Sequence, residues 1–244
     1  MKGLLYKEWC LQKKTIFLFF FIAFTFSLLG LLVFLSMICG NLKGVLDSES
    51  SSMLLSVFTH APYIIALCAS AVCNTSVCSD YESGFMKLTH TLPLSPIQKV
   101  STKYIFAFVI MCVSFVFGVF NAFAMHAMAQ QGITVTSIKT MLLFLVIAVI
   151  LNSIFIPISY LLKKKRSVST FAATLFLGSY FIFGVGLTSY GLDKYGDDII
   201  LKPIEVFKDL RNAAPAFTIP VIVVLTAVSI LVSGKIYNRR DSNC

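Results

Sequence analysis

The side chains that most often perform chemistry are few here, and their spacing does not suit a catalytic or metal-binding set. Cys68, Cys73 and Cys78 recur every five residues, a spacing that rotates them around a helix axis so that they share no face. They are therefore predicted to be small apolar fillers rather than metal ligands. His60 and His126 fall near the ends of apolar segments, where a histidine is usually just solvated.

Sequence motifs for the common catalytic sites are also missing. The chain contains no G-x-x-x-x-G-K-[ST] phosphate loop, no H-E-x-x-H zinc motif and no G-x-S-x-G nucleophile turn. We therefore expect no catalytic residue, no bound metal and no cofactor on this chain, and we do not expect it to be an enzyme.

Composition indicates which elements carry these residues. The 244 residues are 57% hydrophobic and 13% charged, whereas soluble domains have roughly 45–50% apolar and about 25% charged residues. This surplus predicts an all-α polytopic membrane protein with a single transmembrane domain, residues 1–244. The net charge of +9 is interpreted as basic residues flanking the spans, not as a nucleic-acid surface.

Six segments are long and apolar enough to cross a bilayer, which takes about 20 residues. They are approximately residues 16–39, 55–78, 105–128, 140–162, 168–190 and 217–234. None contains Asp, Glu, Lys or Arg, which argues against a proton-driven transporter. Pro157 lies inside the fourth segment and is predicted to kink it.

The basic residues predict the orientation of these spans. Of the 20 Lys and Arg residues, 14 would lie on the side of the two termini and 6 on the opposite side. Because cytoplasmic loops carry the excess of positive charge, both termini are predicted to be cytoplasmic in a multi-pass protein of the plasma membrane.

Two segments outside the spans are predicted to form short helices. Residues 1–14 are basic, and they place Leu5 and Trp9 as i,i+4 neighbours. This pattern favours an interfacial elbow helix at the lipid headgroups, with an ordinary basic flank as the alternative. Residues 191–216 are predicted to contain a short external helix between spans 5 and 6.

The longest predicted cytoplasmic segment, residues 79–104, carries the most specific pattern. Asp80 and Glu82 precede Gly84, the string T-L-P-L-S-P follows, and the pair Lys103–Tyr104 ends the segment. This pattern resembles the first cytoplasmic loop of the type-2 ATP-binding-cassette (ABC) permeases. In that family an acid-x-Gly run leads to a coupling helix, and a Lys-Tyr-like pair starts span 3. Members often have Arg where this chain has Pro96.

The resemblance implies a division of labour between subunits. A separate cytoplasmic ABC ATPase would bind ATP and Mg²⁺ and dock on the loop, while this permease would pair with a second copy or a homologous permease within the lipid bilayer. Apolar side chains would enter a groove, charges would fix the register and the prolines would stiffen the link. The implied coupling residues are Asp80, Glu82, Gly84, Phe85, Met86, Lys87, Leu88, Pro93 and Pro96.

The resemblance also implies an exporter, and the aromatic content suggests its substrate class. The chain has 23 Phe residues, and an apolar, adaptable lining suits amphipathic peptides or hydrophobic drugs. The alternative is that these rings simply face lipid. The main rival function is a six-span, vitamin-type substrate-capturing subunit of an ATP-driven importer, which would not require the 79–104 pattern.

Overall fold

The computed structural model describes residues 2–39, 48–85, 94–129, 135–162 and 222–239, together with isolated positions 212, 216 and 220. Within these ranges every regular element is helical. A single 3₁₀ turn, Ala69–Ala71, separates the second helix from the third. The helices are α1 (Lys2–Ile38), α2 (Ser48–Cys68), α3 (Val72–Glu82), α4 (Pro96–Met128), α5 (Val135–Leu162) and α6 (Ile222–Arg239).

Five helical segments are long and apolar enough to cross a membrane. They are Lys2–Ser36, Leu54–Glu82, Pro96–Met128, Val135–Leu161 and Ile222–Arg239. Each matches a segment predicted from hydropathy. The predicted span 168–190 lies outside the described residues, and so does the predicted external helix in 191–216 apart from isolated positions. The count of six spans therefore stays a prediction.

A separate interfacial elbow is not confirmed, because α1 is continuous. Its 37 residues extend about 55 Å at the helical rise of about 1.5 Å per residue. Residues 2–14 are helical as expected, but no proline interrupts the sequence before the apolar segment, and the helix runs on. Leu5 packs against the main apolar cluster, while Trp9 remains 42% exposed.

The second span is interrupted near its middle. The 3₁₀ turn at Ala69–Ala71 divides it into α2 and α3, and short 3₁₀ segments inside a helix often mark a hinge. Asn152 on α5 donates from Nδ2 to Ser70 Oγ at 2.9 Å. Asn74, on the first turn of α3, contacts the same amide. The turn is therefore held by polar contacts within the bundle.

The first half of the second span, α2, packs mainly against α1 and α4. The second half, α3, packs mainly against α5. At the α2–α4 contact a Cβ atom built on Gly118 would lie 2.5 Å from the ring of Tyr63. A glycine is thus required for the two helices to approach this closely. Cys73 belongs to the same apolar core, consistent with its predicted role as a filler.

Prolines inside two helices leave backbone carbonyls free, and a neighbouring helix satisfies each one. Pro62 has no N–H, so the Phe58 carbonyl loses its helical donor and instead accepts from Asn121 Nδ2 at 3.0 Å. Pro157, predicted to break a backbone hydrogen bond, lies inside α5. The carbonyl it frees, that of Ser153, accepts from Ser229 Oγ at 2.5 Å.

The phenylalanines of span 1 divide between two environments. Three of them are more than half exposed on the outer side of α1: Phe17, Phe21 and Phe24. Two others contact neighbouring helices, with ring centroids 5.9 Å apart for Phe20–Phe117 and 5.7 Å apart for Phe26–Phe58. The exposed rings suit lipid or a second subunit. None of these contacts by itself identifies a transport path.

Candidate functional site

The most distinctive polar group in the described chain is a cluster of four charged residues contributed by three helices. Lys7 and Glu8 come from the first turns of α1, Asp80 from the end of α3 and Lys103 from the second turn of α4. Glu8, Asp80 and Lys103 are each at most 5% exposed. We refer to these four residues, together with Ser76, as the charged end of the bundle.

Lys103 is the centre of the charged end. Its ammonium group donates to Glu8 Oε1 at 2.8 Å, to Asp80 Oδ2 at 2.7 Å and to Ser76 Oγ at 2.5 Å. An ammonium group has three N–H donors, so each proton has one acceptor. The amine is therefore fully satisfied in spite of its burial.

The two carboxylates are satisfied just as completely. The second oxygen of Glu8 accepts from the Ser76 hydroxyl, and the second oxygen of Asp80 accepts from the Lys7 ammonium. Lys7 also lies over the Phe85 ring, with 3.8 Å from Nζ to the ring centroid. A cation placed so close to an aromatic face is stabilised by the ring quadrupole.

The charged end is electrically neutral, with two acids and two bases in contact. Burying an unpaired charge costs several kcal/mol, whereas a compensated and hydrogen-bonded group recovers much of that cost. Each member therefore depends on the others. Removing one charged member would leave the others buried with an uncompensated charge, which destabilises the fold.

The residue after Lys103 connects the same region to the last helix. Tyr104 OH lies 2.5 Å from Ser229 Oγ and 3.0 Å from Ser233 Oγ. Because the Ser229 hydroxyl proton already goes to the Ser153 carbonyl, Tyr104 must donate to Ser229 and accept from Ser233. The Lys103–Tyr104 pair thus joins α4 to α1 and α3 on one side and to α5 and α6 on the other.

The residues predicted to couple the chain to an ATPase begin directly beside the charged end. Asp80 is buried inside the cluster, whereas Glu82 is exposed. Gly84 has a φ of +69°, and no atom lies within 4 Å of a Cβ built there. The glycine is required by its backbone conformation, not by crowding. Phe85 contacts Lys7 as described.

Of the remaining predicted coupling residues, the structure describes only Pro96. Met86, Lys87, Leu88 and Pro93 lie outside the described residues. Pro96 occupies the first turn of α4, directly after Ser95, which caps the helix. Ser95 Oγ accepts from the Gln98 N–H at 3.3 Å, and Gln98 Oε1 accepts from the Ser95 N–H at 3.1 Å. This reciprocal capping box fixes where the loop ends and α4 begins.

A shallow cleft lies over the charged end. It lies between the first turns of α1, the end of α3 and the tail of α6, and its lining includes Leu4, Phe85, Lys99 and Tyr237 besides the charged residues. Its walls therefore combine apolar and cationic groups at the base of the loop.

The opposite end of the bundle carries a neutral polar group, which we call the histidine end: His60, His126 and Ser137. His60 Nδ1 lies 2.8 Å from the Ser56 carbonyl, and His126 Nε2 lies 3.4 Å from Ser137 Oγ. Both rings are at most 7% exposed. The expectation that these histidines are solvated is therefore wrong, because three helices converge around them.

The sequence patterns did not indicate Glu8 or Lys103 as site residues. They grouped Asp80 with the residues predicted to couple the chain to an ATPase. One signal was present: Glu8 is the sole acid in the first 46 residues, in an otherwise basic segment. Asp80 and Lys103 lie just beyond the predicted ends of spans 2 and 3. Since both helices continue past those ends, these charges are packed in the bundle.

In the part of the chain that the structure describes, no group of three or more His, Cys, Asp or Glu side chains is arranged to hold a metal ion. The polar side chains of the charged end are occupied by one another. What this arrangement offers is a fixed junction between helices next to the segment that joins α3 to α4.

Comparison with known proteins identifies the family. The sequence profile of the family described as "ABC-2 family transporter protein" matches residues 3–238. No curated protein and no solved structure matches the chain. The matched range covers nearly the whole sequence and includes all five apolar helices as well as the charged end. The chain therefore belongs to the ABC-2 family of membrane transport proteins.

Proposed function

We propose that the chain is the permease subunit of an ATP-driven exporter and that a separate ABC ATPase docks on the segment between α3 and α4. The observation that carries this proposal is the junction behind that segment. Glu82 is exposed, and the backbone of Gly84 is in the left-handed region. Both residues follow Asp80, which the buried Lys103 holds in place. A loop that receives force needs such a junction.

The family match supports a permease over the rival vitamin-type importer subunit. The proposal assigns ATP and Mg²⁺ to the partner, because the chain has no phosphate-binding loop of its own. Two permease chains, identical or homologous, would enclose the route, since the outer side of α1 presents a row of exposed apolar side chains suited to lipid or a partner.

The proposed orientation of the protein in the membrane follows from its basic residues. With 14 of the 20 Lys and Arg residues on the side of the termini, the charged end faces the cytoplasm and the histidine end faces outward. Amphipathic peptides or hydrophobic drugs are the proposed substrates, because the spans are rich in Phe and carry few charges.

An affinity-tagged chain isolated from native membranes in mild detergent tests the proposal. We expect a P-loop ATPase to co-purify and to hydrolyse ATP, while the chain stripped of that partner shows no turnover. Glu82→Lys should insert normally but weaken co-purification, because a charge reversal at a docking surface opposes association. Turnover by the isolated chain, or the absence of any ATPase partner, would contradict the proposal.

A further inference from the structure

We infer that Glu8 is a positioning residue that fixes the N-terminal end of α1 to the base of the ATPase-docking loop, so that α1 moves with the loop. This inference rests on the proposed function. It concerns a residue that lies outside the loop itself.

Glu8 contacts both of the helices that flank the proposed docking segment. Its two oxygens accept from Lys103 on α4 and from Ser76 on α3. That segment follows Glu82, where α3 ends, and precedes Pro96, where α4 begins. Ser76 and Lys103 lie within two helical turns of those boundaries, about 10 Å along each helix. One carboxylate of α1 therefore holds both helices from which the loop emerges.

The contact also fixes the register of α1. A buried carboxylate cannot leave its cation without losing an ion pair that water does not replace. Glu8 is 3% exposed and Lys103 is 5% exposed, so water does not screen their separation. The geometry restricts α1 to movements that keep Glu8 and Lys103 together.

The continuity of α1 extends the consequence along the bundle. The helix has no break between Lys2 and Ile38, so a displacement at Glu8 reaches the opposite end. A second polar contact, in which the Ser27 hydroxyl donates to Asn121 Oδ1, joins α1 to α4 again farther along. The two contacts hold α1 and α4 together as one body.

The experiment uses a polarity-sensitive dye on Cys10, which is exposed and two residues from Glu8. Cys39, Cys112 and Cys244 are replaced by serine. Glu8→Gln removes the charge and keeps the shape. Glu8→Asp keeps the negative charge on a side chain one methylene shorter. Lys13→Gln is the matched control, because it removes an exposed charge from the same helix.

In the complex isolated with its ATPase, addition of ATP and vanadate should change the dye emission. Glu8→Gln should remove most of that change while ATP hydrolysis continues. Glu8→Asp should retain more of the change than Glu8→Gln does, and the Lys13→Gln control should match the unaltered chain. An unaltered response in Glu8→Gln, or equal losses in Glu8→Asp and Glu8→Gln, would overturn the inference.

A second measurement separates this inference from the proposed function. If no ATPase accompanies the chain, the proposed function fails, and the attachment of α1 is then tested in membranes by the anisotropy of the same dye without nucleotide. Glu8→Gln should lower the anisotropy because the end of α1 is released, and Glu8→Asp should lower it less. Equal anisotropy in all variants would show that Glu8 does not hold α1.

Discussion

The two ends of the bundle each bury polar side chains, yet they do so by opposite means. Lys103 and His126 lie on the same helix, about 35 Å apart at the helical rise, which is close to the thickness of a bilayer core. At the charged end, every ammonium proton of Lys103 has an acceptor. At the histidine end, His60 Nε2 and His126 Nδ1 have no partner among the described residues.

This difference teaches where the bundle is fixed. Charged groups in a dry site must be matched completely, so the charged end has essentially one arrangement. The hydrogen bonds of the neutral imidazoles are weaker than charge-assisted ones, so they constrain the surrounding helices less. In the proposed exporter, the charged end would receive force and the histidine end would respond.

The largest effect is expected at the centre of the charged end. Lys103→Met leaves the carboxylates of Glu8 and Asp80 buried with Lys7 as their remaining cation. We expect the free energy of unfolding to fall by about 3–5 kcal/mol, as when one partner of a buried pair is removed. Denaturation in detergent micelles measures it. Lys99→Met, one turn earlier on α4 and only partly buried, is the control and should cost under about 1 kcal/mol; equal losses would show that the cluster is not special.

A smaller effect on stability and ATPase binding is expected at Gly84, just after the end of α3. Gly84→Val should strain the backbone by about 1–3 kcal/mol, because φ is positive there. Gly84→Asn should be nearly silent, since Asn tolerates the left-handed region and nothing crowds the site. Co-purification of the ATPase at equal membrane level is the readout. If Asn impairs it as severely as Val, backbone conformation is not the reason for the glycine.

The Ser153 carbonyl, which Pro157 leaves without a helical donor, lies between the two ends and should give an effect of intermediate size. Ser229→Ala should cost about 1–2 kcal/mol, because the Ser153 carbonyl loses its donor and the Tyr104 hydroxyl loses its acceptor. In a Pro157→Ala background the helix supplies its own N–H, so Ser229→Ala should then cost less by the share that belongs to the Ser153 carbonyl. Thermal unfolding of the four proteins forms a double-mutant cycle. Additive losses would mean that Ser229 does not serve Pro157.

The smallest effect is expected at the histidine end. His126→Phe keeps the ring and removes a weakly partnered polar group, so the stability should change by less than about 1 kcal/mol. The same unfolding assay applies. A loss as large as that of Lys103→Met would refute the contrast between the ends.

Hydropathy predicted the apolar helices well because the bilayer imposes a strong length requirement on them. Hydropathy could not predict that α1 would run unbroken from Lys2 to Ile38. Whether a helix bends at a membrane surface depends on tertiary contacts such as that between Glu8 and Lys103, which leave no local signature in the sequence.

The coupling role of the residues around Gly84 stays a prediction. The pattern there borders the charged end, and the glycine has the positive φ that its residue type permits. The inward direction of Asp80 was missed because a helix end has both a solvent side and a packed side, and sequence spacing alone does not say which side a neighbouring helix covers. The match between Pro157 and Ser229 was equally hidden, since the residues are far apart in sequence.

The central claim is that the charged end, and not the histidine end, faces the ATPase. A photoreactive amino acid placed at Glu82 or at Val135, both exposed, tests it in intact cells. The account predicts a cross-link from position 82 to a P-loop ATPase and none from position 135, which lies beside Ser137. A cross-link from position 135, or none from position 82 while the ATPase is present and active, would contradict it.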